Sequence, residues 1–430
     1  MAGDIPTNGT DSGPEDGIRN LSLATRTVHA DDGISSHRAV APAIHVSTTF
    51  RYSANPDDLR PGDNTDVRAL LHFVPSHLSL SQLTSSQPNA PADSHVYSRY
   101  STPNTTRFEA VLSSVLGGPS LTYSSGLSAF HAMLVYLNPK RVAIGGGYHG
   151  CHGVIRILTK LNGLKQLELD EASLDQLEAG DVLHVETPLN PTGEARNLAY
   201  YAERAHKVGA YLTVDATFAP PPLQNPLDFG ADIVMHSGTK YFGGHSDMLC
   251  GVLAVNPSRA DKWLRGMIEE RCYIGSVMGG LEGWLGVRSI RTLELRVERQ
   301  SKSATSLVRW IDDEIRNNPT GVVGSVVDKV VHASLQKDEW LKKQMPGGFG
   351  PVFAIWLKDA EDAKRLPSKM ELFHHATSLG GVESLIEWRA MSDPGCDKQL
   401  LRVSIGVEAW EDLRDDLVQG FQKLAEGKKF

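Results

Sequence analysis

The sequence lacks the features that mark several classes of protein. Its 430 residues include only four cysteines, Cys151, Cys250, Cys272 and Cys396, and no two of them form a CxxC pair. This spacing gives neither a zinc motif nor a disulfide framework, and it favours a reducing compartment. No apolar run is long enough for a membrane span. Basic residues are outnumbered 51 to 43 by acidic ones, with no basic tract that would bind nucleic acid. We therefore expect a cytoplasmic protein without nucleic-acid or membrane partners.

The amino-terminal part of the chain has little apolar periodicity. Residues 1–20 are polar and acidic, unlike a signal or transit peptide, and are predicted to be a disordered tail. Residues 21–99 are predicted to form an N-terminal arm with an inserted loop. The stretches "DDLRPGDNT" and "TSSQPNAPADS" have the composition of loops.

From about residue 100 onward, apolar strands alternate with helical patterns. Predicted strands include "SLTY", "RVAIG", "DVLHVE", "YLTVD", "ADIVMHS" and "GVLAV". Continuous apolar strands separated by helices predict a mostly parallel sheet that is covered on both faces. We expect a large α/β domain over residues 100–285. A long helical stretch over 284–315 leads into a smaller C-terminal α+β domain, predicted over 286–430.

One glycine motif has two interpretations. The pattern G-x-G-x-x-G at 145–150 follows a predicted strand, and Glu168 and Asp170 lie about twenty residues further on, as in a dinucleotide-binding fingerprint. The motif is a weak signal in a chain with 40 glycines. The favoured alternative is a glycine-rich turn that lets the ring of Tyr148 approach a ligand.

A lysine stands in an unusual setting at "HSGTKYFGGHSDM", residues 236–248. Lys240 follows the apolar strand "GADIVM" and is surrounded by glycines and hydroxyl side chains rather than by charges. It is therefore expected at the carboxyl end of a core strand, where open α/β sheets bind ligands. A lysine whose pKa is lowered by burial forms a Schiff base with an aldehyde, and pyridoxal 5′-phosphate (PLP) is the usual aldehyde cofactor.

The other parts that PLP requires occur in order along the chain. Asp215 ends the strand before Lys240 and is predicted to hold the pyridinium proton, while Tyr148 is predicted to stack on the ring. Each residue alone also has an ordinary explanation, such as a helix cap or a turn, so the prediction rests on their joint order. The phosphate is expected to bind at a helix start, at Ser125, Gly126 and Leu127. Ser237 and Thr239 supply hydroxyls beside the lysine.

These segments resemble the Cys/Met-metabolism PLP-dependent enzymes, the trans-sulfuration family of cystathionine synthases and lyases. The similarity covers residues 25–425 and is greatest to a fungal branch. It implies the aspartate-aminotransferase-like fold of PLP-dependent transferases, called fold type I. The similarity is carried by "YSRYSTPNTTRFE" (97–109), "YSSGLSAF" (123–130), "YHGC" (148–151), "VETPLNPTG" (185–193), the stretch from "VDATF" to "HSDM" (214–248), "SLGGVESLIEW" (378–388) and "LLRVSIGVE" (400–408).

The resemblance also implies roles for residues that periodicity does not single out. Thr217 corresponds to a hydroxyl beside the aspartate, and Asn190 to the residue that binds the phenolic oxygen of PLP. Arg402 corresponds to the arginine that clamps the substrate carboxylate in a bidentate manner. Ser384 is expected beside it in the same pocket.

A further implication of the resemblance is a site shared between subunits. Tyr97 and Arg99 correspond to residues that a neighbouring subunit contributes to the phosphate, so a homodimer or homotetramer is expected. Lys240 is expected to shuttle protons, with assistance from Tyr148 and Tyr97.

The predicted reaction is γ-replacement or γ-elimination on homoserine esters or cystathionine. The alternatives are a cystathionine β-lyase, a γ-substitution with a non-sulfur nucleophile in fungal specialised metabolism and, more remotely, a non-catalytic PLP-binding homologue. Four departures from the family pattern bear on the substrate. Ala216 replaces an asparagine, Gly238 an alanine, and residues 387–395 a His-Pro stretch, and the loop before Tyr97 is longer than is typical of the family. No metal is expected, because the histidine pairs at 149/152 and 374/375 have no carboxylate or cysteine pattern beside them.

Overall fold

A computed structural model describes residues 21–34, 39–59 and 95–426 of the chain. The tail predicted over residues 1–20 and most of the predicted inserted loop lie outside these residues. Within the described ranges, no helix is both long enough and apolar enough to cross a membrane.

The larger of two sheets has seven strands in the order β1-β7-β6-β5-β4-β2-β3. The pairs β6/β5, β5/β4, β4/β2 and β2/β3 are parallel, and β7 runs antiparallel to both of its neighbours. Its strands are β1 Ser120–Tyr123, β2 Arg141–Ile144, β3 Lys165–Leu167, β4 Val182–Glu186, β5 Tyr211–Asp215, β6 Ile233–Ser237 and β7 Gly251–Val255.

Both faces of this sheet are buried, as continuous apolar strands require. Along β7, Val252 and Ala254 belong to one hydrophobic cluster, while Leu253 and Val255 belong to a second cluster on the opposite face. The helices of the described chain are α1 Leu23–His29, α2 Pro103–Leu116, α3 Gly126–Leu137, α4 His149–Asn162, α5 Glu171–Leu174, α6 Leu198–Lys207, α7 Pro257–Ile274, α8 Gly280–Ile290, α9 Leu293–Asn317, α10 Val322–Val326, α11 Leu341–Gln344, α12 Ala360–Arg365 and α13 Trp410–Glu426.

A second, antiparallel sheet lies toward the C-terminus. Its four strands stand in the order β10-β11-β9-β8, and α9 and α13 pack against it around a third hydrophobic cluster. The register of β10 with β11 sets Glu387 directly opposite Arg402. The strands are β8 Val327–Val331, β9 Val352–Leu357, β10 Leu385–Trp388 and β11 Leu400–Ser404.

The predicted fold class, a mostly parallel α/β sheet with a smaller α+β part, is confirmed. The predicted helix over 284–315 is instead two helices, because α8 ends at Ile290 and α9 begins at Leu293. Arg296 stabilises the break by donating to the Ser289 carbonyl oxygen at 2.9 Å, which satisfies a terminal helix acceptor. The edge strand β3 was not predicted, because only one of its three residues is apolar. The division into domains at residue 285 stays a prediction.

A buried ion pair between Glu109 of α2 and Arg271 of α7 lies beside β1, an edge strand of the large sheet. Glu109 Oε1 accepts bonds from the Thr122 backbone N–H at 2.8 Å and from Arg271 Nη1 at 2.5 Å. Removing the guanidinium leaves a buried carboxylate without its counter-charge. We expect Arg271→Met to lower the free energy of unfolding by about 3–5 kcal/mol, measured by denaturant titration. The matched control is Arg316→Met, in an exposed pair with Asp312, for which a change within about 0.5 kcal/mol is expected. Equal effects for the two variants would contradict the prediction.

Candidate active site

The carboxyl ends of three neighbouring parallel strands meet at one edge of the large sheet. Glu186 ends β4, Asp215 ends β5 and Ser237 ends β6, and the register pairs Glu186 with Asp215. A cavity of about 470 Å³ opens at this edge, and Lys240, three residues beyond β6, lines it. The site therefore lies where the topology of an open α/β sheet places a ligand.

Most of the predicted site residues come together around this cavity. They approach it from strand ends, from the start of α3, from the turn before α4 and from the small sheet. Those that line it are Ser125, Gly126, Leu127, Tyr148, Asn190, Asp215, Thr217, Ser237, Thr239, Lys240 and Arg402.

Lys240 is held at both its backbone and its amine. Its N–H donates to the Ser237 carbonyl at 3.0 Å, and Nζ donates to Ser378 Oγ at 2.7 Å. Burial and, to a smaller extent, the charge of Arg402 lower the pKa of Lys240 to about 8, although Glu387 and Asp215 oppose the shift. A larger fraction of the amine is therefore neutral near pH 7 than in an exposed lysine.

The segment 377–380 folds closely over this lysine. Ser378 has φ 80° and Gly380 has φ 85°. A Cβ atom built on Gly380 would lie 3.0 Å from the Lys240 Cβ, so glycine serves both the backbone conformation and the close approach. Ser378 was missed by the sequence analysis, although the "SLGG" run that contains it is a signal of an unusual turn.

Asp215 is the carboxylate expected to face a pyridine nitrogen. Its Oδ1 accepts bonds from the Thr217 N–H at 2.9 Å and from Thr217 Oγ1 at 2.5 Å, and Oδ2 takes no part in either bond. Burial raises the pKa of Asp215, while the bonds from Thr217 and the charge of Lys240 oppose the rise. A cationic nitrogen at Oδ2 would stabilise the anion.

Glu186 is a second buried carboxyl group that the sequence analysis did not select. It accepts backbone bonds from Tyr148 at 2.8 Å and Asn190 at 2.7 Å, and so fixes two residues that line the cavity. Burial and the neighbouring charge of Asp215 raise the pKa of Glu186 to about 8.

The start of α3 forms the expected anion-binding end of the cavity. Ser125 caps the helix, and its Oγ accepts from the Ser128 N–H at 3.1 Å. The first N–H groups of a helix have no intrahelical acceptor and favour a phosphate. A Cβ on Gly126 would stand 3.1 Å from the Ser237 Cβ, so a larger residue would move the helix start and β6 apart by a few tenths of an ångström. With Lys240 and Asp215 on the same cavity, these residues fit PLP.

The glycine-rich turn after β2 serves Tyr148 rather than a dinucleotide. Gly147 has φ 150°, and a Cβ there would stand 2.4 Å from Glu186 Oε2, where the Tyr148 N–H now donates. Asp170, the acid of the supposed fingerprint, caps the short helix α5 by accepting from the Ser173 N–H at 2.8 Å. Tyr148 lines the cavity, and burial raises the pKa of its phenol.

Arg402 reaches the cavity from β11, but its guanidinium is already engaged. Nη2 lies 2.6 Å from Glu387 Oε2 and donates to the Ser378 carbonyl at 2.9 Å, and Nη1 donates to Asn190 Oδ1 at 3.2 Å. Burial lowers the pKa of Arg402 to about 10, while Glu387 opposes this. Glu387 was also missed, although a glutamate in a short apolar strand is a visible signal.

Three predicted residues are not part of the cavity wall of a single chain. Ser384 is fully buried elsewhere: its Oγ donates to Glu408 Oε2 at 2.9 Å, and Ser378 takes the position beside Arg402 that was expected for it. The guanidinium of Arg99 lies over the ring of Tyr97, 5.5 Å from its centroid. The sharing of Tyr97 and Arg99 between subunits stays a prediction.

Two of the departures from the family pattern have structural counterparts. A Cβ at Gly238 would lie 2.8 Å from Cys250 Sγ, so the thiol fills the space that an alanine methyl would need. Within the 387–395 stretch, Arg389 and Ser392 line the cavity. Nothing in the structure explains Ala216. The part of the chain that the structure describes holds no group of three or more His, Cys, Asp or Glu side chains able to bind a metal.

Comparison with known proteins agrees with this geometry. The family model of the Cys/Met metabolism PLP-dependent enzymes matches residues 24–422. The chain is 32% identical over 351 residues to a cystathionine β-lyase of Lactococcus lactis subsp. cremoris strain MG1363, covering 76% of this chain and 88% of that protein. It is 30% identical over 425 residues to a cystathionine γ-lyase of Saccharomyces cerevisiae, covering 93% and 97%.

A solved structure is similar over nearly the whole length. The cystathionine γ-synthase of Xanthomonas oryzae pv. oryzae, in complex with aminoacrylate and cysteine, superimposes with a TM-score of 0.78 at 26% identity, covering 94% of this chain and 99% of that one. The chain therefore belongs to the Cys/Met-metabolism PLP-dependent enzymes. Its cofactor is PLP, and its substrate is an amino acid.

The lowered pKa of Lys240 has a direct test in the cofactor-free protein. We expect acetylation of Lys240 by acetic anhydride, followed by mass spectrometry across a pH series, to reach half its maximal rate near pH 8. Because the charge of Arg402 lowers this pKa, Arg402→Met is expected to move the midpoint upward. Lys302, which is largely exposed, is the internal reference. A Lys240 midpoint equal to that of Lys302 would contradict the assignment.

Proposed function

We propose that this protein catalyses γ-elimination or γ-replacement on cystathionine or on esters of homoserine, with PLP bound at Lys240. The proposal is supported chiefly by one observation: Lys240, Asp215 and Arg402 line a single cavity. The three side chains supply an amine for the cofactor aldehyde, an anion for the pyridine nitrogen and a cation for the substrate carboxylate.

The chain's own residues divide the work of binding and proton transfer. Bound PLP withdraws electrons from the α carbon of an amino acid and so makes its proton acidic. Lys240 Nζ, when neutral, accepts that proton. For a leaving group on the γ carbon, Nζ must release this proton before it accepts a second one from the β carbon. Ser378 Oγ, 2.7 Å from Nζ, orients the amine. Tyr148 and the partner's residue equivalent to Tyr97 are proposed to assist.

The same residues also support β-elimination, so a cystathionine β-lyase is the second candidate. It is favoured by the similarity to the Lactococcus enzyme of that name. A γ-substitution with a non-sulfur nucleophile remains a variant of the first candidate, since Arg389 and Ser392 alter the cavity wall within 387–395. A non-catalytic PLP-binding protein is disfavoured because Lys240 and Asp215 are both retained.

The products formed from defined substrates separate these candidates. We expect mass spectrometry to detect cystathionine from O-acetylhomoserine with cysteine, or cysteine with 2-oxobutyrate from cystathionine alone. Homocysteine with pyruvate from cystathionine would instead identify a β-lyase. Lys240→Ala should abolish turnover and the borohydride-fixed cofactor adduct, whereas Lys302→Ala, at an exposed position, should change neither. Wild-type protein that forms no adduct with PLP would overturn the proposal.

We also propose a homodimer or homotetramer in which Tyr97 and Arg99 serve the site of a neighbouring subunit. The proposal is supported by the position of both residues, which do not line the cavity of their own chain. A cytoplasmic location is proposed as well, supported by the four cysteines, all of which are free thiols.

Mixing two inactive variants tests the shared site. Lys240→Ala retains Arg99, and Arg99→Ala retains Lys240, so a mixed dimer has one intact site. We expect co-refolded variants to regain about a quarter of wild-type activity, because random pairing makes half of the dimers mixed. The mixture should be compared with each variant refolded alone. No gain in activity, despite mixed dimers in native mass spectrometry, would contradict sharing.

A further inference from the structure

The guanidinium that is expected to bind the substrate carboxylate has no complete fork available. An arginine binds a carboxylate in a bidentate manner through two neighbouring N–H groups, and each of its two forks includes Nη2. Nη2 of Arg402 donates to the Ser378 carbonyl at 2.9 Å and is in ion-pair contact with Glu387 Oε2 at 2.6 Å, so this nitrogen is occupied in both forks. A substrate carboxylate must therefore displace one of these partners, and only Glu387 carries the same kind of group as the substrate.

The carboxylate that contacts Arg402 belongs to Glu387, on the neighbouring strand β10. The register of β10 with β11 sets it opposite Arg402, and the two side chains are only 3% and 5% exposed. A buried carboxylate requires partners wherever it stands. It can leave Arg402 only if a second position satisfies it.

That second position is formed by Arg389 and Ser392. Ser392 Oγ donates to Glu387 Oε1 at 2.6 Å, and Arg389 Nη1 lies 3.3 Å from Glu387 Oε2 while donating to Ser392 Oγ at 2.7 Å. The Nε atom of Arg389 is buried and has no hydrogen-bond partner. Arg389 therefore holds Glu387 through one long contact from Nη1, while its Nε–H has no acceptor. A small shift of the Glu387 carboxylate toward Arg389 would shorten the first contact and give the Nε–H an acceptor.

We propose that Glu387 pairs with Arg402 until an amino-acid substrate binds. Glu387 then shifts toward Arg389, and the substrate carboxylate pairs with Arg402 in its place. The proposal rests on the proposed function, in which Arg402 binds that carboxylate. Two guanidiniums and one carboxylate carry a net charge of +1, which the incoming carboxylate neutralises. Without Arg389, the pair of Glu387 and Arg402 would already be neutral, and binding would leave Glu387 buried without a counter-ion. Arg389 is thus a positioning residue that allows Arg402 to bind substrate.

The rival explanation is a fixed ion-pair network that only stabilises the small sheet. The two explanations differ in how Arg389 and Glu387 are coupled. If Glu387 competes with the substrate, the effect of removing Arg389 depends on the presence of Glu387. If the network is only structural, removing Arg389 harms binding with either residue at 387.

The test is a double-mutant cycle with PLP-loaded protein. The variants are Arg389→Met, Glu387→Gln and the double variant, with Arg365→Met as the control at an exposed arginine paired with Glu361. The ligands are L-2-aminobutyrate, which has no leaving group, and propylamine, which is the same molecule without its carboxylate. Affinities are measured by calorimetry and by the change in visible absorbance. Thermal unfolding checks that each variant is folded.

We expect Arg389→Met to weaken binding of 2-aminobutyrate by roughly tenfold or more, which is about 1.4 kcal/mol, and to leave propylamine unaffected. Glu387→Gln should bind 2-aminobutyrate at least as tightly as wild type, and Arg389→Met should have little further effect in that background. Arg389→Lys, which keeps the charge, should recover part of the affinity. Arg389→Gln, which removes the charge, replaces Arg389→Met in the cycle if that variant does not fold.

Two results would overturn the proposal. One is an equal loss of affinity on removing Arg389 with Glu387 and with Gln at that position, which would identify a fixed network. The other is a loss that is the same for propylamine and for 2-aminobutyrate. A wild-type protein that binds the two ligands equally would instead show that Arg402 does not bind the carboxylate, and would overturn that part of the proposed function first.

Discussion

The parallel alignment of β4, β5 and β6 is the constraint on which the site depends. It places the ends of three strands side by side, so Glu186, Asp215 and Lys240 reach one cavity although they are distant in sequence. Burial at this edge shifts the pKa values of all three groups toward their neutral forms. The charges around them then decide which groups remain ionised. The alignment of the strands thus sets the pKa values of the groups in the cavity independently of any ligand.

The amine of Lys240 and the guanidinium of Arg402 are electrostatically linked across the two sheets. Arg402 lowers the pKa of Lys240, whereas Glu387 raises it. A substrate carboxylate that binds Arg402 therefore changes the field at the amine as well as the position of the substrate. Ser378 connects the two groups physically, since its hydroxyl accepts from Lys240 and its carbonyl accepts from Arg402. Recognition of the substrate and proton affinity at Lys240 are consequently adjusted by the same side chains.

The sequence analysis recovered features that depend on local pattern. Lys240 and Asp215 were predictable because each follows an apolar strand, and the end of a parallel strand fixes a location. Ser378 and Glu387 were not, because their roles arise from a turn that approaches Lys240 and from the β10/β11 register, which one chain's periodicity does not specify. Ser384 was selected instead of Ser378 since both belong to one similar segment, and only the fold shows that Ser384 turns to Glu408. The break between α8 and α9 depends likewise on the Arg296 side chain.

The residues proposed to hold the cofactor and those proposed to bind the substrate carboxylate belong to different sheets. Lys240 and Asp215 follow strands of the parallel sheet, while Arg402, Glu387 and Arg389 lie on or next to strands of the antiparallel one. Two hydrophobic clusters pack on the faces of the parallel sheet, and a third packs on the antiparallel sheet. Substitutions near the end of β10 are therefore expected to change how tightly a carboxylate is held at Arg402 without moving Lys240 or Asp215 from the ends of their own strands.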